Sequence, residues 1–351
     1  MLLLISCITF LGLIRLTFLN KKNSRKLFII ICGLFLFLIS AFRSIYFTTD
    51  VEVYVNKYIS ISYTNLYELW INFITNTGKD PFFYVFNKVI SLFGASYRVW
   101  LAIIAGFFCY SISKFIYKYS DEVYISVIAL ISLGYFYFSL TGLRQTLALS
   151  IILFSYKYLI ERRLFQFIIV VLLGSLFHFS AIIFLVAYPL SKMRIGWKQV
   201  VGVLAALVAA YLFRPQIIGL LSSLNMNDKY TYYLEHGTTL TISGFLIQLF
   251  IYLFCLYFKN SIVKCDSKNL ILYNLLFLGM VFQVFSAVIA EFFRISMYFS
   301  IFGIILISKA INAEKNKRIK IIIYIFVFVA LIAYFFKTGS FREFKFFWQE
   351  W

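Results

Sequence analysis

Long apolar runs dominate this sequence, and they come without the polar alternation that a half-buried strand requires. Many are of the length that crosses a hydrocarbon core as a helix, which takes roughly 17–25 residues. A transmembrane barrel would instead show short segments of alternating apolar and polar residues. Inside lipid every backbone N–H and C=O must be satisfied within the protein, so continuous apolar runs of this kind are helices. Composition agrees: 62% of the 351 residues are hydrophobic and 13% are charged, where a soluble domain has about 45–50% and about 25%. Only 3 prolines interrupt the runs. The fold class is therefore an all-α polytopic membrane protein forming a single integral membrane domain over 1–351, with no tandem repeat or low-complexity tract.

We read helices at about 2–19, 27–42, 99–117, 123–140, 144–160, 164–177, 179–190, 199–213, 243–258, 270–289, 292–311 and 320–336, which makes about 11–12 transmembrane helices. The N-terminal run is read as a span and not a removed signal, because no charged start precedes it and no small-residue cleavage site follows. The net charge of +19 would point to nucleic acid in a soluble protein. Here the basic residues sit in short loops between apolar runs, which is a topology signal instead. Lys21, Lys22, Arg25 and Lys26 share one loop, and Arg162 and Arg163 lie in another. Lys192, Arg194 and Lys198 form a third group, Lys259, Lys264 and Lys268 a fourth, and Lys315, Lys317, Arg318 and Lys320 a fifth. Placing these loops in the cytoplasm puts the N-terminus outside. Segments 43–98 and 214–242, the turns at Thr141–Gln145, His178 and Glu291, and the tail after Lys337 then all face outward.

Two segments strain that alternation. Residues 82–94 are apolar but short and read as an interfacial or re-entrant helix. The pair 164–177 and 179–190 is too short for two full crossings, so it forms either a short hairpin bent at His178 or one tilted span. A hairpin ending at membrane depth requires protein or a water-filled cavity beside it. That predicts a cavity open to the outside with His178 on its floor.

The five cysteines, Cys7, Cys32, Cys109, Cys255 and Cys265, have no metal-ligand spacing and read as packed thiols. Ionisable and polar residues at membrane depth are costly and default to functional hypotheses. Arg43 ends a span, and Asp50 and Tyr54 stand four apart, on one face if the segment is helical. Thr49 or Asp50 is the expected N-cap. Asp50-x-Glu52 is the only acidic pair with a metal-like arrangement, and no further acid supports it. Thr141-Gly142-Leu143-Arg144-Gln145 opens a helix toward the outside, where free N–H groups and the dipole attract anions and a forked guanidinium suits phosphate. His178, followed by Ser180, lies in the bend between two abbreviated helices, where it is either a packed hydrogen-bonding residue or a general base. His236 follows Glu235 in a loop rich in tyrosine. Glu291, Arg294 and Tyr298 share a helical face as either a structural ion pair or a second cationic group. Arg144, His178 and Arg294 are expected to converge on one outward pocket, a constellation suited to an anionic lipid-linked substrate.

These short motifs occur in an order that resembles the EpsG family of Wzy-type bacterial polysaccharide polymerases: Phe42-Arg43 through Thr49-Asp50 to Tyr54, then Gly142-x-Arg144-Gln145 with Ala148, then Phe177-His178-x-Ser180-Ala181, then Arg294-x-Ser296-x-Tyr298-Phe299. The family usually has Gly before Thr-Asp; here the residue is Thr48. The resemblance implies polymerisation of undecaprenyl-pyrophosphate-linked oligosaccharide units outside the cytoplasmic membrane, for capsular, O-antigen or exopolysaccharide. It implies Arg144 and Arg294 as pyrophosphate ligands, His178 as base, and Arg43 and Asp50 on the acceptor side. No metal or cofactor is required, and the expected partners are the lipid-linked oligosaccharide, membrane lipids, and a chain-length regulator and flippase of the same pathway. The alternatives are a transporter or flippase of the same lipid-linked sugars, or a polysaccharide ligase.

Overall fold

The computed structural model describes residues 12, 24–68, 71, 80–216, 219, 242–286, 292–338 and 344–349. The expected first span at 2–19, apart from Gly12, lies outside them, as do most of segment 214–242, including His236, and Glu291. The described elements are helices, with no strand among the described residues beyond an isolated bridge between Arg43 and Phe346.

The chain divides into two compact units: residues 1–182 with 315–351, and residues 183–314. The first contains α1 (Ser24–Ala41), α2 (Thr49–Tyr63), α3 (Pro81–Leu92), α4 (Tyr97–Tyr119), α5 (Val123–Ser132), α6 (Tyr135–Thr141), α7 (Leu143–Ile160) and α8 (Leu164–Phe177). The second contains α9 (Ala187–Leu190), α10 (Trp197–Leu212), α11 (Ser243–Tyr257), α12 (Lys259–Cys265), α13 (Leu270–Phe285), α14 (Phe292–Ser300) and α15 (Gly303–Ala313). Helix α16 (Lys317–Thr338) returns to the first unit and packs on α5.

Five helical stretches are long and apolar enough to cross a membrane, or up to seven if each bent pair counts as one span. Residues 82–92, 164–177, 179–190 and 197–212 form shorter apolar helices. The run at 123–140, expected as one helix, is two: it bends by 53° between α5 and α6. Gly134, at φ +84°, makes that break because the left-handed region costs glycine nothing. The expected helix at 292–311 is one candidate span, Phe292–Ala313, with a two-residue turn between α14 and α15. The N-cap of α2 is Thr48, one residue before the expected pair. Its hydroxyl accepts from the Val51 N–H at 3.4 Å, so Thr49 and Asp50 fall in the first turn.

A core of Val51, Val55, Tyr58, Phe83, Trp100, Leu101, Ile104, Leu143 and Leu147 joins α2, α3, α4 and α7. Trp100 is fully buried, stacked on Tyr58 at 4.8 Å between ring centroids, and donates from Nε1 to Asn87 Oδ1 at 2.9 Å. A ring pair of this kind adds about 0.5–1.5 kcal/mol beyond its packing. The indole hydrogen bond removes the penalty of an unmet buried donor. The core therefore fixes α2, α3 and α7 relative to one another, and it is from these helices that the candidate site is built.

Segment 42–44 pairs with the tail: the Ser44 N–H donates to Lys345 O at 2.9 Å and the Phe347 N–H to Phe42 O at 3.0 Å. The topology argument put both segments on one side of the membrane, and the structure brings them to the same end of the unit. Arg43 is buried and donates to the Ser40 carbonyl. In the second unit, α13 packs against α10, α11, α14 and α15. Cys32, Cys109 and Cys255 are buried, as expected of packed thiols, whereas Cys265 is exposed.

Candidate active site

Asp80 is the hub of the site. It precedes Pro81, and the Asp-Pro sequence starts α3 with proline at N1, where its missing N–H costs nothing. As the N-cap, Asp80 would ordinarily turn its carboxylate onto its own helix. It does not: no side-chain cap hydrogen bond forms, and its backbone is left-handed at φ 56°. The carboxylate instead reaches three groups from two other segments. Oδ2 receives Arg144 Nη1 at 2.9 Å and lies 2.8 Å from His178 Nδ1. Oδ1 accepts the backbone N–H of Phe179 at 2.9 Å. The Asp80 side chain is only 6% exposed, so a satisfied charge in this position is held rigidly.

Arg144 enters from the first turn of α7, where a cation opposes the helix dipole; the Asp80 carboxylate offsets that. Its Nε donates to the Tyr54 hydroxyl at 3.3 Å, and its guanidinium lies 5.7 Å from the Tyr54 ring centroid. Gly142 stands two residues before it at the α6–α7 junction, where a Cβ would lie 2.5 Å from the Phe138 ring and displace it. His178 caps the C-terminus of α8, with extended backbone at φ −153° and ψ 110°. Its N–H donates to Gly174 O at 3.3 Å and its carbonyl accepts from Ala181 at 2.9 Å. Helix α8 thus ends at His178, and a 3-10 segment follows it.

Electrostatics favours an ionised Asp80. Burial raises its pKa, but the hydrogen bond and charge of His178, the Phe179 N–H and Arg144 together outweigh burial and hold it below the usual aspartate value. A carboxylate at Nδ1 takes up the Nδ1–H and leaves Nε2 as the acceptor nitrogen. The arrangement therefore combines an oriented base, a forked cation and a phenol within one unit.

Of the residues singled out from sequence, the structure brings together Arg144, His178 and Tyr54. Gln145 is buried in the same first turn of α7. Ser180 lies two residues past His178 in a 3-10 segment, Phe179–Val186. Asp50 is exposed in the first turn of α2, on the Tyr54 face but outside the Asp80 cluster. Arg43 lies at the bridge to the tail. Arg294 and Tyr298 belong to the second unit, one turn apart on α14. Tyr298 is fully buried, and the Arg294 guanidinium lies 5.9 Å from the Phe293 ring centroid. Sequence reasoning missed Asp80, although Asp-Pro ahead of an apolar helix marks an N-cap position; only the redirection of its carboxylate is invisible in the sequence.

The fold is that of an all-α, multi-pass membrane protein, and its first unit carries an aspartate held between a histidine and an arginine. The chain matches the model of the EpsG family over residues 26–349 and belongs to that family, which consists of Wzy-like polysaccharide polymerases. No curated protein and no solved structure matches it.

Proposed function

We propose that this polymerase joins undecaprenyl-pyrophosphate-linked oligosaccharide units on the outer face of the bacterial cytoplasmic membrane, using the Asp80–His178–Arg144 cluster. His178 Nε2 takes the proton of an acceptor sugar hydroxyl. That oxygen bonds to the anomeric carbon of the chain on the second lipid, and the bond from that carbon to the pyrophosphate oxygen breaks. The electron pair leaves with the lipid pyrophosphate. Asp80 keeps Nδ1–H oriented and stabilises the imidazolium that forms, as the acid of a hydrolase triad does. Arg144 stabilises charge growing on the leaving phosphate, which fixed donors do best in a water-poor site. On the family resemblance alone, Arg294 and Tyr298 of the second unit, and Glu291 and His236 outside the described residues, are proposed as further substrate-binding residues. Arg43, Asp50, Tyr54, Gln145 and Ser180 shape the acceptor side. Since guanidinium groups carry the phosphate charge, the scheme requires no metal.

The observation that carries this reading is a single carboxylate oxygen shared by His178 Nδ1 and Arg144 Nη1, in a chain of a polymerase family. The test is polymer length in cells lacking the wild-type gene and expressing His178→Ala or Arg144→Ala at normal level. The reading expects single repeat units on the outer leaflet and no long chains. Wild-type chain length from either variant overturns it, and units trapped inside would favour transport instead.

A further inference from the structure

A second feature of the first unit lies away from the Asp80 cluster. Helices α1 and α4 pack against each other, and between them is a cavity of about 450 Å³, within the size range of small-ligand sites. Its walls are almost entirely apolar, formed by residues such as Ile30, Leu34 and Phe37. Ile30 and Leu34 are 44% and 58% exposed, so on a spanning helix they meet lipid. Gly33 and Gly106 form part of the lining, and the absence of side chains there keeps the space open.

One end of the cavity is different. Lys26 and Lys114 both line it, together with Tyr110 and Tyr117. The Lys114 ammonium donates to the Tyr110 hydroxyl at 3.1 Å and lies 5.5 Å from the Phe154 ring centroid. Lys26 makes no hydrogen bond or ion pair among the described residues, and neither lysine meets a carboxylate there. The neighbouring Arg25 is already committed, donating to the carbonyls of Tyr117 and Ser120 at the end of α4. Among the described residues, two lysines without a carboxylate partner thus line one end of an apolar slot. Lys26 belongs to the basic loop sequence that the loop-charge pattern assigns to the cytoplasmic face.

We propose that this groove binds one anionic phospholipid of the cytoplasmic leaflet, with its phosphate between Lys26 and Lys114 and an acyl chain along Gly33 and Gly106. Charge complementarity selects the occupant. The cytoplasmic leaflet is the anionic one, and each basic residue near it attracts acidic headgroups. The apolar walls supply no partner for a sugar or a soluble phosphate ester. The site is independent of the catalytic reading above.

The test uses the purified full chain in mild detergent and native mass spectrometry, titrated with dioleoylphosphatidylglycerol or with dioleoylphosphatidylcholine. One tight phosphatidylglycerol adduct is expected, with much weaker retention of the choline lipid. The double variant Lys26→Gln/Lys114→Gln should weaken the glycerol lipid by about thirtyfold, from two surface cations. Gly106→Leu tests the slot separately: a Cβ there meets Phe37 at 3.5 Å, an ordinary contact, so the helices stay packed while the chain-binding space fills. It should abolish the adduct. Equal retention of both lipids, undiminished binding by the lysine double variant, or displacement of phosphatidylglycerol by equimolar undecaprenyl phosphate would each overturn the proposal.

Discussion

Replacing Asp80 by asparagine removes one charge and almost no volume, so it isolates what the carboxylate does. In the wild type its Oδ2 contacts both His178 Nδ1 at 2.8 Å and Arg144 Nη1 at 2.9 Å. During reaction His178 becomes a cation beside this carboxylate. Two charges about 4 Å apart interact by about 4 kcal/mol at an effective dielectric of about 20. The side chains of His178 and Arg144 are 19% and 20% exposed, and water there screens part of the field. About 2–3 kcal/mol of transition-state stabilisation is then at stake, which lowers kcat by about 30- to 150-fold. The asparagine amide in Asp80→Asn also offers an N–H to Nδ1, which favours the tautomer whose Nε2 cannot accept a proton. The assay is the rate of chain extension by purified protein on lipid-linked repeat units, alongside thermal unfolding to confirm that the variant folds. A double-mutant cycle sharpens it: once His178→Ala has removed the base, Asp80→Asn should cost little more, because the two act as one device. Asp80→Asn within twofold of wild type, or fully additive losses, would refute the assigned role.

Further outcomes follow from the same geometry. Arg144→Lys keeps the charge but cannot reach Asp80 and the Tyr54 hydroxyl at once, so activity should fall at least tenfold, roughly one lost charge-assisted hydrogen bond, without loss of expression. Asn87→Ala strips the acceptor from the buried Trp100 indole and should cost about 1–2 kcal/mol, read as a lowered Tm in detergent. Asp80 titrates below its ordinary 3.8, so its folded-state pKa is depressed. Its contribution to stability is therefore fully present above about pH 5 and is lost as pH falls through the folded value. The Tm gap between wild type and Asp80→Asn should be constant at neutral pH and close in strong acid.

Much of the helical plan was legible because lipid removes alternatives: a continuous apolar run has no other way to satisfy its backbone. Helices α1, α4, α8 and α16 fall within a few residues of the runs that predict them. What sequence could not supply were breaks set by single residues. Gly134 divides α5 from α6 inside an uninterrupted apolar stretch, and nothing in hydropathy marks it. The site was half visible. Arg144 and His178 stood out as ionisable groups at span ends, and Tyr54 followed from its spacing to Asp50. Asp80 did not stand out, because an aspartate before proline already has a local explanation as an N-cap. Its left-handed backbone and its turn toward His178 and Arg144 are tertiary facts. Asp50, the acid that sequence favoured, is exposed in the first turn of α2, outside the Asp80 cluster.

The central claim is that His178, oriented by Asp80, performs proton transfer in glycosidic bond formation. Its most direct test is the release of undecaprenyl pyrophosphate by purified protein supplied with defined lipid-linked units. The account predicts one lipid pyrophosphate per new linkage from wild type and about a hundredfold or greater loss of that release in folded His178→Ala, the scale of a missing general base. Release at the wild-type rate by that variant would contradict it.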